Sequence, residues 1–347
     1  MTEWKEYKLG EIGTFGNGKV RPQKQGDIPI YGGNGILGYC DEYNYCGETI
    51  IVGRVGAYCG SVYYENRPIW VSDNALALKP KNNYNTRFIY YLLKKYNLNE
   101  YAEGSSHPLV TQTLLNAIEI IFTDDIEKQI RIAAILSSLD DKIELLHREN
   151  ATLEQMAETL FRQWFIEEAK EDWKEVLLED IAYLSAGGDK PKKVSYNRTN
   201  ELNIPIYSNG VENEGLYGYT DIPKITEESV TISARGTIGY VVLRTEPFVP
   251  IVRLITLTPK KHITSKYLYF WAKSQDINGT GTTQQQLTIP DFKLTKVLLP
   301  GEELISKFTN EVNQYYKKIL LNKKQIQTLT QTRNSLLPKL MSGDVKI

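Results

Sequence analysis

The sequence predicts an α+β protein with two β-rich domains separated by two long coiled-coil helices. Three observations lead to this fold class. One plan recurs twice along the chain, which indicates an internal pseudo-two-fold repeat. Each copy begins with short apolar strands between Gly, Asn and Pro turns. Each copy ends in a long stretch of apolar residues at heptad spacing, which is typical of a coiled coil.

The repeat is recognised from short segments that match in the same order. Residues 4–12, WKEYKLGEI, resemble residues 173–181, WKEVLLEDI. The strand-like segment Ile-Pro-Ile-Tyr at 28–31 recurs at 204–207, and an Asn-Gly pair follows each of them. The offset between matched segments drifts from about 169 to about 181 residues. The loops therefore differ in length around a common core.

These patterns divide the chain into four segments. The predicted order is a β-rich domain, a long helix, a second β-rich domain and a second long helix, at 1–124, 125–169, 170–300 and 301–347. A short helix is expected inside each β-rich domain, near 88–96 and 267–274. The 23 tyrosines fit half-exposed sheet faces, because Tyr favours strands and combines an apolar ring with a polar hydroxyl.

The two long segments carry residues at alternating spacings of three and four, which is the pattern of a coiled-coil seam. The first seam consists of Leu136, Leu139, Ile143, Leu146, Asn150, Leu153, Ala157, Leu160 and Trp164. The second seam consists of Ile305, Phe308, Val312, Tyr315, Ile319, Asn322, Ile326, Leu329 and Leu336. The pattern favours helices that pack on each other. The alternative is two amphipathic helices, each packed only on its own domain.

Each seam contains one asparagine. If the helices run antiparallel and pair about their middles, Asn150 and Asn322 fall opposite each other. A buried Asn pair fixes the register of a coiled coil at some cost in stability. Two unrelated asparagines that face solvent are the alternative.

Composition excludes several classes of protein. No run of about 18 apolar residues predicts a membrane span, and the N-terminal residues lack the layout of a signal peptide. The three cysteines, Cys40, Cys46 and Cys59, form no framework and favour a reducing cytoplasm. The 41 Lys+Arg balance 42 Asp+Glu, and the first β-rich domain alone is equally balanced. A nucleic-acid-binding face would therefore need its cations gathered on one side.

Motifs for catalysis or cofactor binding are not found in the sequence. Residues 33–38 match G-x-G-x-x-G, but a turn-like segment follows instead of the helix that a dinucleotide site requires. The chain lacks a G-x-x-x-x-G-K-[ST] loop and an Asn-Pro-Pro-Tyr motif. His107, His147 and His262 have no metal-ligand spacing. An unfamiliar active site in the Gly-rich domains is kept as an alternative class.

Together these features resemble the specificity subunit of type I restriction–modification enzymes, and the resemblance covers essentially the whole chain. Its local signatures are the Trp-Lys-x-x-x-Leu-x-x-Ile starts at 4–12 and 173–181 and the segment GRVGAYCGSV at 53–62. The endings LFRQWF at 160–165 and LLPKLMSG at 336–343 are the most specific of them.

The resemblance implies a function for each segment. The β-rich domains are target-recognition domains that each read one half of a split double-stranded DNA sequence, and the helices form an antiparallel coiled coil between them. Two modification subunits, which are adenine methyltransferases that bind S-adenosylmethionine, and motor–endonuclease subunits that use ATP and Mg join this cytoplasmic, non-catalytic chain. A stand-alone DNA-binding scaffold without enzyme partners is the alternative reading.

Candidate DNA-contact residues are cations and polar side chains in loops. They are Lys19, Arg21, Lys24, Lys190, Lys192 and Lys193 after Gly-rich turns, Arg54 and Arg235 after equivalent strands, and Ser106, His107, Thr283, Gln284 and Gln285 in two polar stretches. Solvated loops or structural roles are the alternatives. Trp164 and Phe165, at a helix end, are either core residues or a docking surface for a modification subunit. We expect weak, salt-sensitive DNA binding by the chain alone and tight binding with the methyltransferases.

Overall fold

The computed structural model describes residues 4–104, 108–278 and 286–345. The chain divides into two units, and the division falls within the long helices. Unit 1 consists of Met1–His147 and Lys323–Ile347, and unit 2 consists of Arg148–Asn322. Each unit therefore contains one β-rich domain and one part of each long helix. No helix in the described ranges is long and apolar enough to cross a membrane.

The β-rich domain of unit 1 consists of nine short strands, three α-helices and one 3-10 helix (Leu98–Tyr101) in the described residues. The strands are β1 (Lys5–Lys8), β2 (Gly13–Asn17), β3 (Ile28–Gly32), β4 (Gly35–Cys40), β5 (Thr49–Gly53), β6 (Val62–Glu65), β7 (Trp70–Val71), β8 (Ala75–Pro80) and β9 (Glu119–Phe122). The α-helices are α1 (Leu9–Ile12), α2 (Thr86–Lys95) and α3 (Gln112–Ala117). The long helix α4 (Ile126–Arg162) follows and continues into unit 2.

Unit 2 repeats this order of elements. Its strands are β10 (Lys174–Leu177), β11 (Ala182–Ala186), β12 (Ile204–Tyr207), β13 (Leu216–Thr220), β14 (Ser229–Ile232), β15 (Val241–Arg244), β16 (Val249–Pro250), β17 (Ile255–Pro259) and β18 (Lys296–Leu299). Its helices are α5 (Leu178–Ile181), α6 (Ser265–Ser274) and α7 (Ile289–Phe292). The second long helix, α8 (Glu302–Ser342), begins here and ends in unit 1. The predicted fold class is confirmed.

The sheets of the two units have the same topology. Each unit has a four-stranded sheet, in the order β2-β8-β5-β6 or β11-β17-β14-β15. Each also has a three-stranded sheet, β4-β3-β7 or β13-β12-β16, whose shortest strand is parallel to its neighbour. Strands β5 and β14 are buried at every residue, because they lie inside their sheets and consist mainly of β-branched residues. The repeat in sequence is thus a repeat in structure.

The repeated start motif folds into a strand and a single helical turn. Its Leu and Ile residues, Leu9 and Ile12 in unit 1, are fully buried. A carboxylate inside the turn caps it: Glu11 Oε2 accepts a hydrogen bond from the Lys8 N–H (2.5 Å), and Asp180 Oδ2 accepts one from the Leu177 N–H (2.9 Å). The motif therefore combines core anchors with its own cap.

The long helices pair antiparallel within unit 1. Early residues of α4, such as Leu136, share a core with late residues of α8, Leu340 and Met341. One turn further along α4, Asp140 accepts a hydrogen bond from Arg333 Nη1 (2.6 Å), which is earlier in α8. Residues later in α4 contact residues earlier in α8, so the two helices run antiparallel and pack on each other. This excludes the alternative that each helix packs only on its own domain.

The same antiparallel order holds within unit 2. Asn322 Nδ2 donates to Asn150 Oδ1 (2.9 Å), and Tyr316 donates to Glu154 Oε2 (2.7 Å). The expected pairing of the two asparagines is therefore observed. Asn322 is buried and also donates to Glu149 Oε2 (2.8 Å), so a carboxylate takes part in this polar layer.

Trp164 and Phe165 are part of the core of unit 2. Phe165 is buried, and its ring centroid lies 5.2 Å from those of Tyr267 and Phe308. Trp164 is half-buried, and Lys307 Nζ lies 5.0 Å from its ring centroid. Of the two alternatives for Phe165, the structure shows the core residue, because its apolar ring is covered by the chain itself.

Replacing both Asn150 and Asn322 with leucine is expected to raise the melting temperature. Removing both partners of a buried hydrogen bond leaves no unpaired group, and added apolar burial of about 1 kcal/mol corresponds to about 2–4 °C. Glu149 keeps Lys318 as an ion-pair partner (3.4 Å). Thermal unfolding of the full chain measures the change, with Asn310→Leu on the exposed side of α8 as the control. Unchanged or lower stability would contradict a register function for the pair.

Candidate nucleic-acid interface

Several loops of unit 1 meet at the tip of the β3–β4 hairpin. A Cβ atom on Gly33, at this tip, would lie 3.0 Å from the Val55 carbonyl oxygen and 3.5 Å from that of Asn74. The Arg54 N–H donates to the same Asn74 carbonyl (2.9 Å). The hairpin tip, the loop after β5 and the turn before β8 are therefore in direct contact.

Lys19 joins this group of loops through its backbone. Its carbonyl accepts a hydrogen bond from the Asp73 N–H (3.0 Å), in the turn that also contains Asn74. The Lys19 side chain is exposed, and Arg54 is half-exposed. We call this surface the first loop edge, which consists of residues 18–20, 33–34, 54–56 and 72–74. It brings together two cations that the sequence analysis selected independently.

Unit 2 has an equivalent surface, organised by one asparagine. Asn209, after β12, donates from Nδ2 to the Val252 carbonyl (2.6 Å) and accepts at Oδ1 from the Ala234 N–H (2.7 Å). Val252 in turn donates its N–H to the Gly188 carbonyl (2.9 Å). These contacts define the second loop edge, which consists of residues 187–189, 208–215, 234–236 and 251–254.

Arg235 lies on the second loop edge, one residue after Ala234, which occupies the place that Arg54 has on the first. Its guanidinium donates from Nε (3.1 Å) and Nη2 (2.9 Å) to Gln286 Oε1. A structural role for Arg235 is thus observed. Arg235 is exposed, and a guanidinium has five N–H donors, so this contact leaves donors for a phosphate or a base edge.

The residues that follow the two predicted polar stretches contact the loop edges. Ser106, His107, Thr283, Gln284 and Gln285 lie outside the described residues. The residues that follow each stretch adjoin the two loop edges: the Val110 N–H donates to the Arg54 carbonyl (2.8 Å), and the Leu287 N–H donates to the Ala234 carbonyl (3.1 Å).

Lys24 and Lys193 do not belong to the loop edges. Lys24 Nζ is 2.5 Å from Asp41 Oδ2, and Lys193 Nζ is 2.8 Å from Asp221 Oδ2. Each aspartate directly follows the second strand of its hairpin, about 20 Å from the hairpin tip at about 3.3 Å per residue. The hydrogen bond in each pair raises the pKa of the lysine and lowers that of the aspartate. Each predicted basic run therefore contains one lysine that is paired away from the loop edges. The neighbouring Arg21 and Lys192 are exposed.

The structure adds cations that the sequence analysis did not select. Exposed Lys224 lies beside Gly188, since a Cβ on that glycine would be 3.6 Å from Lys224 Nζ. Lys190, which was selected, has its Nζ 5.8 Å from the ring centroid of Tyr217. Exposed Arg253 lies on the second loop edge itself. One sequence feature could have indicated Arg253 as a candidate contact residue. It follows the short strand β16 at the position where Asn74 follows β7 in the first copy.

The turn that carries Arg253 has an unusual backbone. Val252 (φ 52°) and Arg253 (φ 60°) are both left-handed, a conformation that is rare for a β-branched residue. Hydrogen bonds from their N–H groups to the Gly188 and Gly187 carbonyls (both 2.9 Å) hold the turn. Strained turns of this kind are concentrated at ligand-binding sites. Arginine and lysine on such loops can bind phosphates and base edges in DNA.

Comparison with known proteins agrees with this description. A family model described as the type I restriction modification DNA specificity domain matches residues 1–155 and 170–331. The specificity subunit of the type I restriction enzyme MjaIX from Methanocaldococcus jannaschii is 25% identical, over 99% of this chain and 94% of its own. That of the Escherichia coli type I restriction enzyme EcoprrI is 33% identical over 40% of this chain and 36% of its own.

A solved structure shows the same fold. The crystal structure of the S subunit of a type I restriction-modification system from M. genitalium has a TM-score of 0.65 and 21% sequence identity. The match covers 98% of this chain and 96% of the other.

The fold and the paired loop edges define a tandem-repeat protein with two DNA specificity domains. The family model matches most of the chain, once in each copy. This chain therefore belongs to the type I restriction–modification specificity family, and the resemblance inferred from its sequence is confirmed. Its function is that of the DNA specificity subunit of such an enzyme.

Proposed function

We propose that each loop edge reads one half of a bipartite double-stranded DNA target, and that the chain itself catalyses no reaction. The presence of an arginine in the same loop of both units carries this proposal: Arg54 and Arg235, one position apart in the register, each lie beside a hairpin tip and a turn. The two half-sites differ in sequence, because the edges differ in chemistry. The turn of the first edge contains Asp73 and Asn74, whereas that of the second contains Val252 and Arg253.

We propose further that two DNA adenine methyltransferase subunits dock on this cytoplasmic chain and that motor–endonuclease subunits join them. S-adenosylmethionine, ATP and Mg would then act on the partner subunits. The balanced charge of the chain supports this division of roles. The 41 Lys+Arg are offset by 42 Asp+Glu and leave no net positive charge to attract phosphates, so much of the backbone binding would come from the methyltransferases.

Mapping of N6-methyladenine in a host genome, with and without this gene, tests the proposal. We expect loss of one bipartite motif when the gene is deleted and its return on complementation. Complementation with Arg54→Ala should relax one half-site by about tenfold, because a bidentate base contact contributes about 1–3 kcal/mol of discrimination. Lys24→Ala is the control, since that lysine is paired with Asp41 away from the loop edge. A motif that is unchanged by deletion would contradict the function.

A further inference from the structure

The two units differ in charge at one equivalent, largely buried position. Strand β15 ends at Arg244, which pairs in register with Ser229, and β6 ends at Glu65, which pairs with Thr49. In unit 1, Glu65 accepts hydrogen bonds from the Tyr31 hydroxyl (3.1 Å) and from Arg67 Nε (3.0 Å). A carboxylate in one copy is therefore replaced by a guanidinium in the other.

Arg244 uses its guanidinium to reach the hairpin of its own unit. The side chain is 3% exposed and lies 3.5 Å from the centroid of the Tyr207 ring. Nε donates to Thr231 Oγ1 (3.0 Å), and Nη2 donates to the Glu214 carbonyl (2.7 Å). Nη1 has no hydrogen-bond partner in the described residues and lies 3.7 Å from Glu214 Oε2. The guanidinium is thus directed at the loop that joins β12 to β13.

That loop has a backbone that few sequences adopt. Asn213 (φ 50°), Glu214 (φ 55°) and Gly215 (φ 79°) are three successive left-handed residues. Glycine is required at 215, where a Cβ would lie 2.4 Å from the Ser208 carbonyl oxygen. The corresponding hairpin of unit 1 closes with a two-residue tip between Gly32 and Gly35, as its pairing register shows. The longer loop and the arginine that holds it therefore occur together in unit 2.

The loop projects polar side chains from the second loop edge. Glu212 and Asn213 are exposed, and Asn209 joins the start of the loop to the segment that carries Arg235. Carboxylates repel phosphates but accept hydrogen bonds from the N4 amino group of cytosine, and asparagine pairs with the N6 and N7 positions of adenine. An acidic loop beside cations on this edge is suited to base edges rather than to the DNA backbone.

We propose that segment Glu212–Gly215 contacts the exocyclic amino group of an adenine or a cytosine in the major groove of the second half-site and so rejects guanine and thymine at that position of the strand. Arg244 is the positioning residue that holds the backbone of this segment for that contact. The inference rests on the proposed function of the second loop edge, and it assigns the base-reading role to side chains that the sequence analysis did not select.

The test uses the methyltransferase complex assembled on variants of this chain and the methylated motif that each produces. Asn213→Gly removes the amide but keeps a residue that adopts φ > 0 freely, so the loop backbone is retained. Glu212→Ala removes the carboxylate. Each is expected to relax discrimination about tenfold at one or two adjacent positions of a single half-site. Asn83→Gly is the matched control, because Asn83 (φ 57°) has the same backbone conformation at the opposite end of β8 from the first loop edge.

Arg244→Met tests the positioning role, because methionine fills apolar space but donates no hydrogen bond. We expect it to relax the same positions as Asn213→Gly. Reduced methylation with an unaltered motif would overturn this role, since a loss of stability lowers all methylation equally. An unaltered motif in both Asn213→Gly and Glu212→Ala would overturn the reading role. Absence of any bipartite motif with the wild-type chain would instead refute the proposed function.

Discussion

Truncation of Phe308 to alanine is expected to lower the free energy of unfolding of unit 2 by about 3–5 kcal/mol. Phe308 is fully buried at a point where the two long helices meet the β-rich domain. Its ring centroid lies 5.7 Å from that of Phe161 in α4 and 5.8 Å from that of Phe270 in α6. Alanine would leave a cavity that these rings, fixed by their own neighbours, can fill only in part.

Calorimetric unfolding of the full chain measures this effect. Leu321→Ala is the matched control on the same helix, because Leu321 is 62% exposed and its truncation is expected to change stability by less than about 0.5 kcal/mol. Equal effects of the two substitutions would contradict the assignment of Phe308 to the core. A loss confined to Phe308→Ala would show that the seam and the domain share one hydrophobic core.

The periodic features of the structure could be predicted from the sequence. Heptad spacing identifies a seam without reference to any other part of the chain, and the middle of each seam fixes which asparagines meet. The repeat also identified Arg54 and Arg235, which lie one position apart in the structural register, in the loops after the buried strands β5 and β14. These predictions depend on local spacing, which the fold preserves.

Features that depend on distant partners could not be predicted in this way. Asp41, the partner of Lys24, lies 17 positions later and is positioned by the pairing of β3 with β4. The sequence also shows Arg244 only as a charged residue at the end of an apolar run. Its burial follows from Tyr207, which belongs to another sheet and covers the guanidinium with its ring.

A carboxylate joins the β-rich domain to both long helices within each unit. In unit 1, Asp140 of α4 accepts hydrogen bonds from the Tyr91 hydroxyl of α2 (2.8 Å) and from Arg333 of α8 (2.6 Å). In unit 2, Glu154 of α4 accepts from Tyr269 of α6 (2.6 Å) and from Tyr316 of α8 (2.7 Å). Rotation of a domain on its helix pair would break two charge-assisted hydrogen bonds. The orientation of each loop edge within its unit is therefore fixed by these contacts.

Replacing Asp140 with alanine should lower the free energy of unfolding of unit 1 by about 2–3 kcal/mol. Burial and the hydrogen bond to Asp140 raise the pKa of Tyr91, so this hydroxyl stays protonated and would lose the carboxylate that accepts its hydrogen bond. Hydrogen bonds to charged groups contribute about 1.5–3 kcal/mol each, and buried groups left unpaired add a desolvation penalty. Arg333, whose side chain is 24% exposed, would recover part of this loss through water.

The adjacent Asp141 provides a control of the same residue type on the same helix. Its side chain is 67% exposed and lies 3.4 Å from Arg87, so Asp141→Ala should lower the free energy of unfolding by less than about 1 kcal/mol. Asp140→Asn should fall between the two, because the amide oxygen still accepts from Tyr91 but carries no charge for Arg333. Denaturant unfolding of the full chain gives the three values. If Asp140→Ala and Asp141→Ala had the same effect, the joint between domain and helices would depend on apolar packing alone.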